Sequence, residues 1–256
     1  MRENILRRSQ ITKQLDSLGL DYEIFEAVNG KSLVAFGNID SIVNQRKATE
    51  VMNRPLTPGD IGCSLSHLYI YRKMIKNDIT EACILEDDAF VATKFHSVLP
   101  LIENLPNVEL VFLGHWSLYN DNQKLGAERA FFSKKIGSFC IARVAEFPLG
   151  THAYVIRRSA AKKLLDRGMP VWMPADFLTG SAELLGIDTF VIAPPVAVQH
   201  STEITNPGRT FPQKKAQLPV IAFVKGIIRS LLLLLRKLGI FRKSYIWLFN
   251  RRISKV

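Results

Sequence analysis

Ala82-Cys83-Ile84-Leu85 is a short apolar run that stops abruptly at Glu86-Asp87-Asp88. Four apolar residues between polar flanks suit a buried parallel strand better than a helix. Three adjacent carboxylates repel one another unless a cation or hydrogen-bond donors offset them. A strand that delivers them at its carboxyl end puts them where open α/β sheets bind ligands. This segment therefore asks for an α/β fold with a polar site at one sheet edge. Oxygen-only ligands suit Mn²⁺ or Mg²⁺. In an extended segment Glu86 and Asp88 point the same way, so both face a metal that bridges a donor diphosphate. The competing reading is a solvated acidic turn.

The rest of the chain supplies a matching alternation of elements. Apolar Ile5, Ile11, Leu15 and Leu18 recur at helical spacing before Gly19, and Tyr22-Glu23-Ile24-Phe25 alternates like a strand. Residues 30–54 are polar and irregular, a loop or short helix near a site. Thr57-Pro58-Gly59-Asp60 places a hydroxyl cap, a proline at the first helical position and an acid three after the cap, which announces a helix to about Asn77. Val108 to Leu113, Ala153 to Ile156 and Phe190 to Ala193 read as strands, and Arg158 to Arg167 as a helix before Gly168. A mixed sheet with helices on both faces is the economical architecture.

Further polar residues qualify as site candidates. Gly62-Cys63-Ser64-Leu65-Ser66-His67 opens the capped helix with adjacent Ser66 and His67, although a lone helical histidine is more often structural. Asp176 follows Pro174 in an apolar stretch and can serve as a general base or as a helix cap. His200 leaves the sheet after Val196-Ala197-Val198, as a metal or diphosphate ligand or as an ordinary loop histidine. Cys63, Cys83 and Cys140 form no CxxC pair, show no Cys/His spacing suited to zinc, and point to a reducing compartment. The basic start MRENILRRSQ is followed by no apolar core of a secretory signal, which predicts a cytosolic catalytic part.

The net charge of +11 has the sign of a nucleic-acid binder, but its distribution does not. Eleven of the 34 basic residues lie from Lys214 onward, where there is no acid, and residues 1–213 carry 23 of each sign. We therefore divide the chain into a body, 1–213, and a basic, apolar tail, 214–256. No stretch of the tail reaches the roughly 18 to 20 apolar residues of a spanning helix. Lys225, Arg229, Arg236 and Lys243 share one narrow helical stripe, with Leu, Ile and Phe over most of the remainder. Such an amphipathic helix suits an anionic membrane interface, where each basic residue contributes about 1 kcal/mol. The alternative is an ordinary C-terminal helix packed on the body. No nucleic acid is expected as a partner.

Taken in order, Leu18 to Gly30 (LGLDYEIFEAVNG), Leu56 to His67, Cys83 to Asp88, and Gly150 to Ile156 with Ala160-Ala161 resemble glycosyltransferase family 25. That family includes bacterial lipooligosaccharide galactosyltransferases and relatives of the collagen hydroxylysine galactosyltransferase. The resemblance spans about residues 1–205. It implies a nucleotide-sugar-dependent transferase with a GT-A-like, Rossmann-type core. Glu86, Asp87 and Asp88 then stand in the place of the metal and donor-diphosphate motif, and Asp176 matches a later proline-plus-acid element as candidate catalytic base. We group Ser66 and His67 with the donor, and His200 with Asp88 and Glu86 as metal ligands. Family members begin with a hydrophobic strand and a Ser/Arg turn, whereas this chain starts inside the next helix with Arg2 in the place of that turn. The resulting expectation is an inverting hexosyltransferase that takes galactose from UDP-galactose to a lipooligosaccharide or related glycan, peripheral on the cytoplasmic face of an inner membrane. The alternative is a catalytically silent, membrane-associated binding module.

Overall fold

The computed structural model describes residues 5–37, 39–115, 130–144 and 147–199. Arg2, His200 and the segment 214–256 lie outside them. Helix α1, Ile5–Ser17, buries Ile11 and Leu15, and Gly19 turns the chain at φ 63°. The alternation at Tyr22 to Phe25 does not become a strand. The segment has no ladder partner among the described residues, and Tyr22 is 41% exposed. Alternation makes a segment competent for pairing, but a strand also needs a neighbouring backbone. Here the segment is held by side chains instead, through an ion pair of Glu23 with Lys73 and a bond from the Val28 N–H to Ser66 Oγ at 2.9 Å.

The polar stretch 30–54 contains two short helices, α2 at Gly30–Ala35 and α3 at Gln45–Met52. Each starts at an asparagine whose side chain accepts from backbone N–H groups, Asn29 for Lys31 and Ser32, Asn44 for Lys47. Helix α4, Pro58–Lys76, begins with the expected reciprocal cap: Thr57 Oγ1 accepts from the Asp60 N–H, and Asp60 Oδ2 accepts from the Thr57 N–H. Arg54 adds an ion pair to Asp60 at 2.7 Å. Helices α2 and α4 meet through two glycines. A Cβ on Gly30 would lie 1.8 Å from the Pro58 carbonyl oxygen, and one on Gly62 would lie 2.7 Å from that of Val28.

Strands β1 (Glu81–Leu85), β3 (Leu110–Phe112), β4 (Ala130–Ile136), β5 (Phe139–Val144), β6 (Ala153–Arg157) and β7 (Thr189–Ala193) form one sheet in the order β1-β6-β3-β7-β5-β4. Strand β2 (Ala89–Val91) and strand β8 (Ala197–Gln199) form a separate antiparallel ribbon. Among the described residues only β3 and β7 pair in parallel within the sheet. The expectation of a buried parallel strand at 82–85 is thus corrected: β1 pairs antiparallel with β6, lies at the edge of the sheet, and leaves Cys83 exposed. A local apolar run records burial, not the direction in which a distant strand returns beside it.

Alternate residues of each strand feed two cores. Leu110, Phe112, Tyr154 and Val191 face α4 and helix α6, Arg158–Gly168, where Leu65, Leu68 and Leu164 are buried. Val111, Val155 and Ile192 face helix α5, Phe95–Glu103, through Phe95, Val98 and Ile102. Each such side chain contributes about 1.5–3 kcal/mol on burial. This two-sided burial gives a mixed α/β sandwich and fixes the sheet's carboxyl edge as the place where polar residues gather.

Candidate functional site

The acidic triplet does not continue β1. The Ala89 N–H donates to the Glu86 carbonyl at 3.1 Å, so Glu86, Asp87 and Asp88 sit on a tight turn between β1 and β2. The side-by-side projection expected of an extended segment is replaced by a division of labour. The Glu86 N–H donates to the His152 carbonyl at 3.0 Å, which locks the turn to the residue preceding β6. Its carboxylate accepts from Thr151 Oγ1 and lies 3.2 Å from His67 Nε2. Asp88 Oδ2 instead accepts from Gln199 Nε2 at 2.8 Å, across the β2–β8 ribbon, and stands 3.7 Å from Arg7 of α1. Arg7 also lies 3.9 Å from Asp87.

The two acids are held in opposite electrostatic states. Burial pushes the Glu86 carboxyl up, but the hydrogen bond and charge of His67 and the Thr151 hydroxyl outweigh it and hold it at about 2. Burial and the neighbouring Glu86 charge raise Asp88 above its ordinary value, against Gln199 and Arg7. A carboxyl depressed in the fold contributes stability above its unfolded value of 4.5, and that stability is lost as pH falls toward about 2. The stability difference between the wild-type protein and Glu86→Gln should therefore narrow through that acid window in urea melts, and a pH-independent difference would exclude this role.

His67 continues inward from the turn. Its Nδ1 lies 2.7 Å from Tyr154 Oη, which lies 2.8 Å from Tyr71 Oη. Thr179 of helix α7, Ala175–Gly180, is a polar neighbour of Tyr71. Both tyrosines are fully buried, and burial pushes Tyr71 up to about 12 and raises Tyr154 well above its ordinary value, so both stay protonated. Ser66 plays a different part, since its Oγ donates to the Gly62 carbonyl at 2.7 Å while accepting from Val28, which ties the 20–30 segment to α4. Asp176 is partly buried at the start of α7, and its Oδ1 accepts from the Phe177 N–H at 3.0 Å. It therefore serves the helix start from inside the first turn, with Pro174 as the N-cap residue. Ser64 Oγ, donating to the Met173 carbonyl at 3.1 Å, fastens this segment to α4.

Residues not singled out from the sequence complete the site. His115 follows β3 as Glu86 follows β1, and burial with the nearby His152 pushes it down to about 4. His152 is buried beside Glu86 and is likewise lowered, mainly by burial. Gly114 lets the chain pass, since a Cβ there would lie 2.4 Å from His152 Nε2 and 2.1 Å from the Ala197 carbonyl oxygen. The signal available in the sequence is position: His115 lies just past one apolar strand-like run and His152 directly before another. Cys63 and His67, one helical turn apart, converge with Glu86 from another element, a juxtaposition that Cys/His spacing alone does not show.

A hard divalent cation fits the acidic turn. Asp88 Oδ1 is buried without a hydrogen-bond partner, and the repulsion between Asp88 and Glu86 is what a cation would relieve. A mixed α/β core that gathers acids and imidazoles at one edge is the frame of a GT-A-like glycosyltransferase. The chain belongs to glycosyltransferase family 25: the family model "Glycosyltransferase family 25 (LPS biosynthesis protein)" matches residues 1–179. It is 32% identical over 166 residues to a "Glycosyltransferase 25 family member" of Aedes aegypti, covering 62% of this chain and 26% of that protein. It is 27% identical over 165 residues to "Procollagen galactosyltransferase 2" of Homo sapiens, covering 62% and 25%. The matched segment thus spans about a quarter of the length of these relatives.

Proposed function

We propose that the chain transfers galactose from UDP-galactose to a hydroxyl of a glycan acceptor, with inversion at the anomeric carbon. The observation that carries this reading is the buried, unbonded Asp88 Oδ1 beside Glu86 at the sheet's carboxyl edge, in a chain with galactosyltransferase relatives. A Mn²⁺ or Mg²⁺ ion held by Asp88 and Glu86 would offset the charge of the leaving diphosphate. Asp87 and Arg7 line the same turn on the side of α1. Asp176 is the proposed base: its carboxylate takes the acceptor hydroxyl proton, the acceptor oxygen bonds to the sugar's anomeric carbon, and the bond to UDP breaks with its electrons on the diphosphate.

The acceptor we propose is a lipooligosaccharide or related lipid-linked glycan at a cytoplasmic membrane face, reached through the basic, apolar segment 214–256. The family description and the charge of that segment support it. Among the described residues no helix is long and apolar enough to cross a membrane. The deciding experiment is calorimetric titration of UDP into the protein with and without Mn²⁺, followed by UDP-galactose with lipid-linked acceptors. Metal-dependent binding and acceptor-dependent UDP release are expected. A folded protein that binds no UDP under either condition overturns the proposal in favour of a silent binding module.

A further inference from the structure

Cys63 and His67 occupy successive turns of one face of α4, and Glu86 reaches them from the end of β1. The three ligand atoms lie within 4.8 Å of one another. His67 Nε2 is 3.2 Å from Glu86 Oε1, and Cys63 Sγ is 3.9 Å from the same oxygen. Around a tetrahedral zinc ion, with its usual bond lengths, nitrogen and oxygen ligands stand about 3.3 Å apart and sulfur and oxygen about 3.6 Å apart. Two of the three pairs therefore stand near tetrahedral ligand spacing before any ion arrives, and the third, Cys63 to His67, lies within 4.8 Å.

From this geometry we infer a thiophilic metal site, Cys63–His67–Glu86, that takes Zn²⁺ or a similar soft ion and shares only the Glu86 carboxylate with the all-oxygen site at Asp88. Cys63 is exposed at the rim and gives the ion a path in, whereas His67 is buried and fixed. Its Nδ1 lies 2.7 Å from Tyr154 Oη, so in the tautomer protonated at Nδ1 the ring donates to that hydroxyl and presents the Nε2 lone pair outward, the usual support of a metal-bound imidazole. Thr151 likewise donates to Glu86 and holds its oxygen in place. On binding, the Cys63 thiol proton leaves to solvent, and the thiolate, the neutral imidazole and the carboxylate fill three positions. Solvent on the Cys63 side supplies the fourth. Sulfur is what selects the ion, since a thiolate favours zinc over the hard cations suited to Asp88.

Cobalt serves as the probe, because tetrahedral thiolate-bound Co²⁺ absorbs where octahedral, oxygen-bound Co²⁺ does not. Titration of CoCl₂ into the full chain, reduced with a non-thiol reductant, should give a near-ultraviolet thiolate-to-cobalt band and intense visible bands saturating at one equivalent. Zn²⁺ should bleach both. The bands should vanish in Cys63→Ser, with an unchanged circular dichroism spectrum, and persist in Cys83→Ser and Asp88→Asn. A charge-transfer band that survives Cys63→Ser, weak octahedral bands alone, or loss of the signal in Asp88→Asn would overturn the assignment. Neither UDP nor an acceptor enters this test, so its outcome is separate from whether the chain transfers a sugar.

Discussion

Replacing Asp88 by asparagine should abolish Mn²⁺-dependent UDP binding, weakening it at least about 100-fold, while leaving the melting temperature unchanged or raised. The two effects have one cause. Asp88 is buried, one of its oxygens lacks a hydrogen-bond partner, and Glu86 stands close by. A carboxyl raised in the fold contributes stability below its unfolded value of 3.8, and that contribution is lost as pH rises through the raised value. At neutral pH the charged form is therefore held at a cost, one that a bound cation would relieve and that an amide does not incur. Gln199 can still donate to the side-chain amide oxygen of the Asp88→Asn variant, so the ribbon between β2 and β8 keeps its link. Calorimetry and thermal melts on one preparation check both parts. Wild-type affinity for UDP in the variant would exclude the metal role, and a large fall in melting temperature would show a structural role instead.

Gly114→Ala should be the most damaging small change at the site. Its Cβ would meet the Ala197 carbonyl oxygen at 2.1 Å and His152 Nε2 at 2.4 Å, and both are anchored. Ala197 belongs to β8, which pairs with β2 and carries Gln199 to Asp88. His152 is 1% exposed and its carbonyl holds the Glu86 N–H. Forcing either away costs about 3 kcal/mol by overpacking, which lowers the melting temperature by about 6–12 °C in a chain of this size. Metal-dependent UDP binding should weaken with it, because both acids are positioned through the displaced elements. Gly59→Ala is the control: its Cβ would meet only Thr57 Oγ1, at 3.7 Å, and the variant should melt as the wild type does.

Helices α1, α4 and α6 and the acidic turn are legible in the sequence because their signals are local, whereas α5 at Phe95–Glu103 is not read from it. Thr57 and Asp60 lie three residues apart, and the cap they spell is the cap observed. The apolar runs at 153–156 and 190–193 are strands because burial on both faces leaves a short run few other places, and the run at 82–85 is a strand too, although it lies at the sheet edge with Cys83 exposed. What a local reading misses is non-local. Tyr22 to Phe25 alternates correctly but finds no neighbour among the described residues, and the direction of β1 is set by β6, some seventy residues on. The site divides in the same way. Glu86 and Asp88 can be named from their own segment, whereas Thr151, His152 and Gln199 join them only through antiparallel pairings that bring the start of β6 and the end of β8 to the same edge. The Cys63–His67 pair is invisible to spacing rules because its third member, Glu86, comes from another element.

The buried file from His67 through Tyr154 to Tyr71 carries one consequence beyond packing. Each hydroxyl in it has a single proton to give, so the file has a direction, and turning one member obliges the next to turn. Two orderings exist, one with its protons aimed at the acidic turn and one with them aimed inward from His67 toward Tyr71. Whether His67 carries its proton on Nε2, toward Glu86, or on Nδ1, toward Tyr154, selects between them. The order of two buried hydroxyls is thereby tied to the proton on the imidazole beside Glu86, with no atom larger than hydrogen having to move.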